Sequence, residues 1–146
     1  RILMSQINQF AEAGADLISV HGENANAAEA LNHITKLGLK AGIVLKVETP
    51  VSKVDTLFPH IDFLTLLGTA IGVKGQGLDP AATTRLQVAK SMIAKSGRRI
   101  VLAADGGIRE NTVPDLRKAG AETVVLGSLA FGAPDLGARM AWLKTL

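Results

Sequence analysis

Residues 100–107 read Ile-Val-Leu-Ala-Ala-Asp-Gly-Gly, an apolar run that ends directly in an acidic residue and two glycines. Such a short, continuous apolar run is typical of a strand that is buried on both faces. Strands of that kind belong to parallel sheets covered by helices. The stretch therefore predicts a parallel α/β sheet, with Asp105 at the carboxyl end of one strand.

The same unit recurs along the 146 residues. Apolar strands are predicted at residues 17–20, 41–45, 63–67, 100–104 and 123–126. Helices are predicted at residues 2–13, 24–37, 52–58, 81–96, 110–118 and 136–143, with Phe10 on the apolar stripe of the first. Residues 12–16 (Glu-Ala-Gly-Ala-Asp) and 118–122 (Lys-Ala-Gly-Ala-Glu) repeat one helix-to-strand junction. The alternation predicts an α/β class with crossover connections, and the repeat suits a barrel of equal β/α units.

Two architectures fit this alternation. One is a complete doubly wound domain of five strands, of the flavodoxin-like type. The other is five consecutive units of a (β/α)8 barrel, a fold of about 250 residues. The chain opens on a helix with no strand before it, which favours the barrel. Strand order decides between the two, because a barrel places consecutive strands side by side.

Composition excludes several classes of protein. An apolar fraction of 47% with 20% charged residues is typical of a globular chain. No apolar run approaches the roughly 20 residues of a membrane span, and without cysteine there is no disulfide framework, zinc finger or thiol nucleophile. The net charge of +3 is dispersed and only 3% of residues are aromatic, which argues against a nucleic-acid partner. The opening residues do not read as a signal peptide. We expect a cytoplasmic enzyme or binding domain without a membrane partner, and leave a homo-oligomer open.

Polar and glycine residues gather after the strands, where ligands bind in both architectures. Asp105 is placed to ligate a metal or to move a proton. Gly106 and Gly107 would let backbone N–H groups approach an anion. The alternative is an ordinary Asp-Gly turn. His21 and Glu23 also end a strand, but two residues do not make a metal site, and a histidine bonded to a neighbouring loop is the commoner case.

Two further segments are candidates for a phosphate site. Residues 68–77 contain four glycines, whose backbone N–H groups can cradle an anion, although the spacing is not that of a P-loop. Gly127 and Ser128 follow the last strand, where barrels often bind phosphate, although a plain strand-to-helix turn is the alternative. We predict that residues 72–75 and 127–128 bind one anion.

Taken together, these segments resemble the ribulose-phosphate 3-epimerase family. The matching stretches are residues 10–16, His21 with Glu23, and residues 40–51, 104–108, 119–121 and 125–131. The resemblance implies a TIM (β/α)8-type barrel. Residues 1–146 would be a single α/β domain holding strands four to eight with their helices and lacking the first three β/α units.

The resemblance also implies a chemistry, a metal-dependent 3-epimerisation of a ketose phosphate such as ribulose 5-phosphate through an enediolate. Asp105 would be both proton-transfer group and ligand of a divalent ion (Zn, Fe, Mn or Co). The implied phosphate contacts are Gly72, Val73, Lys74, Gly75, Gly106, Gly107, Gly127 and Ser128. The family's second aspartate and its two histidine ligands belong to the absent units, so this chain alone is expected to be inactive.

The loop after the third predicted strand departs from the family pattern Met-Ser-Val-x-Pro-Gly-Phe-Gly-Gly-Gln. Residues 67–76 read Leu-Gly-Thr-Ala-Ile-Gly-Val-Lys-Gly-Gln, and Lys74 stands where the family has glycine. Two alternatives therefore stay open: a barrel paralogue acting on another sugar phosphate, and a non-catalytic phosphate-binding domain of doubly wound form.

Overall fold

A computed structural model describes residues 1–73 and 75–146. Its five strands are β1 (Leu17–His21), β2 (Lys40–Leu45), β3 (Phe63–Leu67), β4 (Val101–Asp105) and β5 (Thr123–Val124). Its α-helices are α1 (Met4–Glu12), α2 (Ala27–Lys36), α3 (Ala82–Ser96), α4 (Val113–Ala119), α5 (Ser128–Phe131) and α6 (Leu136–Leu143). Lys74, one of the predicted phosphate contacts, lies outside the described residues. In the part of the chain that is described, no helix is long and apolar enough to cross a bilayer.

All five strands are parallel and lie in the order β1-β2-β3-β4-β5. A flavodoxin-like sheet would have the order 2-1-3-4-5. The consecutive order therefore excludes that doubly wound alternative and confirms the barrel-type arrangement of neighbouring β/α units. The register places Leu67 of β3 opposite Asp105 of β4, so these two strand ends lie side by side.

The central strands are covered on both faces, as their apolar runs predict. Each of β2, β3 and β4 has three successive buried residues. Because successive side chains point to opposite faces of a sheet, such a run shows that both faces are covered. The largest fully buried side chains are Leu31, Ile34, Ile43, Leu45, Val54, Ile61, Leu64, Leu86, Ile100, Leu102 and Leu116. Each buried leucine or isoleucine contributes about 1.5–3 kcal/mol through removal of apolar surface from water.

The two Ala-Gly-Ala junctions fold alike. Gly14 and Gly120 both adopt positive φ, of 101° and 124°. In each junction the N–H of the alanine that follows reaches back five residues, from Ala15 to the carbonyl of Phe10 and from Ala121 to that of Leu116. Glycine closes such helix ends because it has no Cβ to clash in the left-handed region. The sequence repeat is therefore a repeat of structure.

Several local predictions need correction. Phe10 is 63% exposed, because α1 packs against α2 and buries only Ile7 fully. The helix predicted at residue 110 begins at Val113, since the Thr112 hydroxyl first closes a turn onto the Gly107 carbonyl. The helix predicted at residues 52–58 is a run of 3-10 turns over Val51–His60 with a kink at Val54. The strand predicted at residues 123–126 is limited to Thr123–Val124. Helix α5 was not predicted.

Candidate functional site

An open depression of about 490 Å³ lies at the carboxyl ends of β1 to β4. Its lining consists of His21, Val44, Leu67, Thr69, Ala70, Ile71, Gly72, Val73, Asp105 and Gly106. Four of the residues predicted to form the site are therefore together: Asp105, Gly106, Gly72 and Val73. The predicted edge of the sheet is where the structure has its candidate site.

The backbone at the end of β4 holds Asp105 beside the loop that follows β3. The N–H of Gly68 donates to the Asp105 carbonyl at 2.7 Å. Gly106 has a φ of +87°, and a Cβ there would collide with Thr69 Oγ1 and lie 3.2 Å from the Thr69 nitrogen. Gly107 is also left-handed, and a Cβ there would lie 3.0 Å from Leu78 Cα. Two glycines after Asp105 therefore let the residue 68–78 loop pack directly on this strand end.

The same loop is fixed by its own hydrogen bonds. The Ala70 N–H donates to Gln76 Oε1 at 2.9 Å, and the Asp79 N–H donates to the Gly68 carbonyl at 2.8 Å. Gly72 lines the depression with a φ of +78°, whereas Gly75, at +73°, is not among the lining residues. Residues 69–73 of the predicted glycine loop thus line the depression together with Asp105.

Ser128 lies elsewhere. It lines a separate depression of about 300 Å³ with Ile108, Arg109, Glu110, Asn111, Leu129, Gly132, Ala133, Pro134 and Arg139. There Arg139 lies 3.6 Å from Glu110 and its guanidinium carbon is 5.3 Å from the centre of the Trp142 ring. Among the described residues, Gly72 and Val73 line one depression and Ser128 lines another, so a shared anion site for residues 72–75 and 127–128 stays a prediction.

His21 and Glu23 form a polar pair at the end of β1. Glu23 Oε1 accepts the Lys46 N–H at 2.7 Å, and Glu23 Oε2 lies 3.5 Å from His21 Nδ1. Burial raises the pKa of Glu23, but hydrogen bonds from the Lys46 backbone and the Thr49 side chain outweigh it, so the net pKa lies below its usual value. The pair is therefore tied to the loop that follows β2.

Arg85 is the residue that the sequence reasoning missed. From α3 it donates to the Leu67 carbonyl at 3.1 Å and to those of Lys46 and Thr49 at 2.9 Å each. Burial lowers the pKa of its guanidinium, against the opposing charges of nearby carboxylates. The available signal was its place on the buried stripe of α3, three residues after Ala82 and next to Leu86.

The described residues do not provide a complete set of ligands for the metal ion that the family resemblance implies. Within residues 1–73 and 75–146 no three His, Asp or Glu side chains lie close enough together to hold an ion. Asp105 supplies a carboxylate but not the several ligands that a divalent cation needs. The described residues therefore do not fit a metal site by themselves.

The comparison with known proteins adds the family. The model of the ribulose-phosphate 3 epimerase family matches residues 3–131. The chain belongs to this family. It is 37% identical over 141 residues to ribulose-phosphate 3-epimerase of Aquifex aeolicus and 34% identical over 130 residues to that of Escherichia coli K12. These alignments cover 96% and 88% of this chain but 64% and 58% of the relatives, so the family member described here spans about three-fifths of their length.

Solved structures with the same fold agree with the strand order. The chain superposes on 3-hexulose-6-phosphate synthase from Salmonella typhimurium with a TM-score of 0.74 at 21% identity, covering 97% of this chain and 66% of that one. A tryptophan synthase alpha-subunit from Pyrococcus furiosus gives a TM-score of 0.66 at 22% identity, covering 97% and 57%. At such identities the likeness shows the fold alone, which is of the TIM-barrel type.

Proposed function

We propose that the protein is a 3-epimerase of a ketose phosphate, with ribulose 5-phosphate as the reference substrate. The observation that carries the proposal is the position of Asp105. It lies inside the segment matched to the family and opens into a depression at the carboxyl end of a barrel-type sheet. That end of such a sheet is where barrel enzymes place their catalytic groups.

The role proposed for Asp105 is proton transfer at C3. In a 2-ketose, the C3 hydrogen is next to the carbonyl, so a carboxylate can remove it to give an enediolate. Inversion requires a second group that returns the proton from the opposite face. We assign no described residue to that second role, and propose that it belongs to the part of the relatives that this chain does not match. The chain would then be the C-terminal five units of the barrel.

The phosphate is proposed to bind at backbone N–H groups of the glycine segments. Gly72, Val73, Gly106 and Gly107 lie at or beside the Asp105 depression, and glycine permits the close approach of an anion to the backbone. Gly127 and Ser128 would contribute from the next strand end. A divalent ion remains a prediction from the family resemblance, with Asp105 as one ligand and the others outside the described residues.

Because residues 67–76 differ from the family pattern, the identity of the sugar phosphate is open. The test therefore compares two substrates. The purified full-length protein is incubated with ribulose 5-phosphate and, separately, with a hexulose 6-phosphate, and the configuration at C3 is followed by NMR. We expect inversion at C3, faster for the pentulose phosphate. Inversion of the hexulose alone would favour the paralogue acting on another sugar phosphate. Absence of any C3 inversion would contradict the proposed activity.

A further inference from the structure

We infer that His21 contacts the substrate, accepting a hydrogen bond at Nε2 from a hydroxyl of the sugar phosphate, while Glu23 holds the proton on the opposite ring nitrogen. This inference rests on the proposed function, since the hydroxyl belongs to the proposed substrate. It adds a substrate-contacting residue on a strand other than the one that carries Asp105.

The position of His21 supports a role in the site. It is the last residue of β1 and lines the same depression as Asp105, which ends β4. The two residues therefore reach the depression from different strands. The His21 side chain is 41% exposed, so the ring is partly open to solvent and is not a buried core histidine.

The two ring nitrogens have different surroundings. Nδ1 is buried and has no hydrogen-bond partner among the residues described, and the carboxylate oxygen Glu23 Oε2 lies 3.5 Å away. A carboxylate can only accept a hydrogen bond, so it favours a proton on Nδ1. Contacts of this kind are often long before substrate binds and shorten in the complex. A neutral ring protonated at Nδ1 has a free lone pair on Nε2.

The carboxylate that orients His21 is itself held in place. Its other oxygen accepts the Lys46 N–H at 2.7 Å, and its pKa lies below the usual value, so it is ionised at neutral pH. Gly22, between the two residues, has no room for a side chain, because a Cβ there would lie 2.7 Å from Ile43 Cγ2 and 2.9 Å from Val54 Cγ1. The backbone between His21 and Glu23 is thus fixed against the core.

The composition of the depression makes a hydrogen-bond acceptor on His21 important for orienting a ligand. Its described lining is otherwise apolar or glycine, apart from Thr69 and Asp105. Ligand sites of this composition depend on a few placed polar groups for orientation. An acceptor that loses its partner hydroxyl is left unpaired, which makes such a contact a source of specificity.

Two substitutions of His21 separate its two nitrogens. His21→Gln places an amide near the position of Nε2, and His21→Asn places one near Nδ1. In the full-length protein we expect His21→Asn to lower kcat/KM for ribulose 5-phosphate by about tenfold or more, on the scale of one lost hydrogen bond in a site. His21→Gln should recover most of that loss. The control is His60→Gln, at an exposed histidine, which should behave as wild type. Equal activity of the two His21 variants would overturn the inference.

A second measurement does not depend on turnover. Long-range ¹H–¹⁵N correlation spectra of the histidine rings report which nitrogen carries the proton. We expect His21 to be protonated at Nδ1, Glu23→Gln to weaken that preference, and ribulose 5-phosphate to shift His21 Nε2. A ring protonated only at Nε2, or no shift on adding the sugar phosphate to an active enzyme, would overturn the inference. A protein that shows the Nδ1 tautomer but inverts no ketose phosphate would instead contradict the proposed function.

Discussion

Gly106 combines a left-handed backbone with a space too small for a side chain. Both features follow from its place between Asp105 and the loop that carries Thr69. If a side chain followed Asp105 here, the loop could not lie against this strand end, and the part of the depression that Thr69 and Gly106 line would move. The position of the loop beside Asp105 thus depends on the glycine that follows the aspartate.

The first prediction concerns this glycine. Gly106→Ala should destabilise the fold by roughly 1–3 kcal/mol, because alanine is strained at this φ and its methyl group would meet Thr69. Urea unfolding followed by circular dichroism measures the change. Gly137→Ala is the matched control, since that residue lies inside α6, and it should be neutral or slightly stabilising. Equal stability of Gly106→Ala and wild type would show that the loop can move away from the strand end.

At the residue scale, sequence reasoning located Asp105 because it directly follows an apolar strand, at the edge of the sheet where ligands bind, although an ordinary Asp-Gly turn was the alternative. It placed His21 and Glu23 at a strand end for the same reason. It missed Arg85 because the sequence does not distinguish a helical arginine exposed to solvent from one that donates to backbone carbonyls of other elements. It misassigned Phe10 because periodicity identifies a stripe but not how much of the stripe a neighbour covers.

At the scale of elements, Arg85 links α3 to two loops at the carboxyl edge of the sheet. One guanidinium satisfies carbonyls after β2 and at the end of β3. Gly68, one residue further, donates to the end of β4. A chain of hydrogen bonds therefore runs from β2 to β4 beneath the depression.

The second prediction follows from this chain. Arg85→Lys should raise amide hydrogen exchange at residues 46–49 and 68–70, because an ammonium group lacks the planar fork that reaches three carbonyls. The loss in stability should be about 1.5–3 kcal/mol, the scale of hydrogen bonds to a charged group. Arg98→Lys is the control, since Arg98 donates to the Ile61 carbonyl just before β3, at the opposite end of that strand. Unchanged exchange at residues 46–49 in Arg85→Lys would contradict the assigned role.

The third prediction concerns Arg99 and Glu122, which join the segments leading into β4 and β5 through two hydrogen bonds of 3.1 and 2.9 Å. The arginine holds the pKa of Glu122 below its ordinary value of 4.5. The stabilisation is therefore present above that pH and is lost as the pH falls through the lowered pKa. We expect the difference in urea midpoint between wild type and Glu122→Gln to shrink below pH 4.5 and in high salt. A difference independent of pH would show that the pair does not act through charge.

Among the elements, the strands were predicted best, because a short apolar run between glycines has few alternatives to a buried strand. Helix starts were less predictable, because hydrogen bonds from single side chains decide them. Thr112 delays α4 in this way. Ser128 begins α5 and lines a different depression from Asp105, which no local sequence pattern records.

At the scale of the whole molecule, the described sheet is a run of five parallel strands with β1 and β5 at its edges. A closed barrel has no edges, and its active site is assembled from the ends of several strands. Asp105 is proposed as one proton-transfer group, whereas inversion at C3 needs two. The site described here is therefore proposed to be one wall of a larger site.

The fourth prediction applies that reasoning to the 146-residue chain by itself. It should not invert C3 of ribulose 5-phosphate, because the second proton-transfer group is proposed to belong to the part of the relatives that this chain does not match. The measurement is the configuration at C3 after prolonged incubation, with the full-length protein as the positive control. Inversion by the isolated chain at a rate near that of the full-length protein would place both groups within these residues.

The most direct test of the central claim is exchange of the C3 hydrogen of ribulose 5-phosphate with deuterated water, catalysed by the full-length protein and by Asp105→Asn. We predict rapid deuterium incorporation by the wild type and a loss of about 10²–10⁴-fold in the variant, the usual contribution of a general acid–base group. Asp55→Asn, at an exposed aspartate that does not line the depression, should exchange like the wild type. Near-normal exchange by a folded Asp105→Asn would show that another group removes the C3 proton.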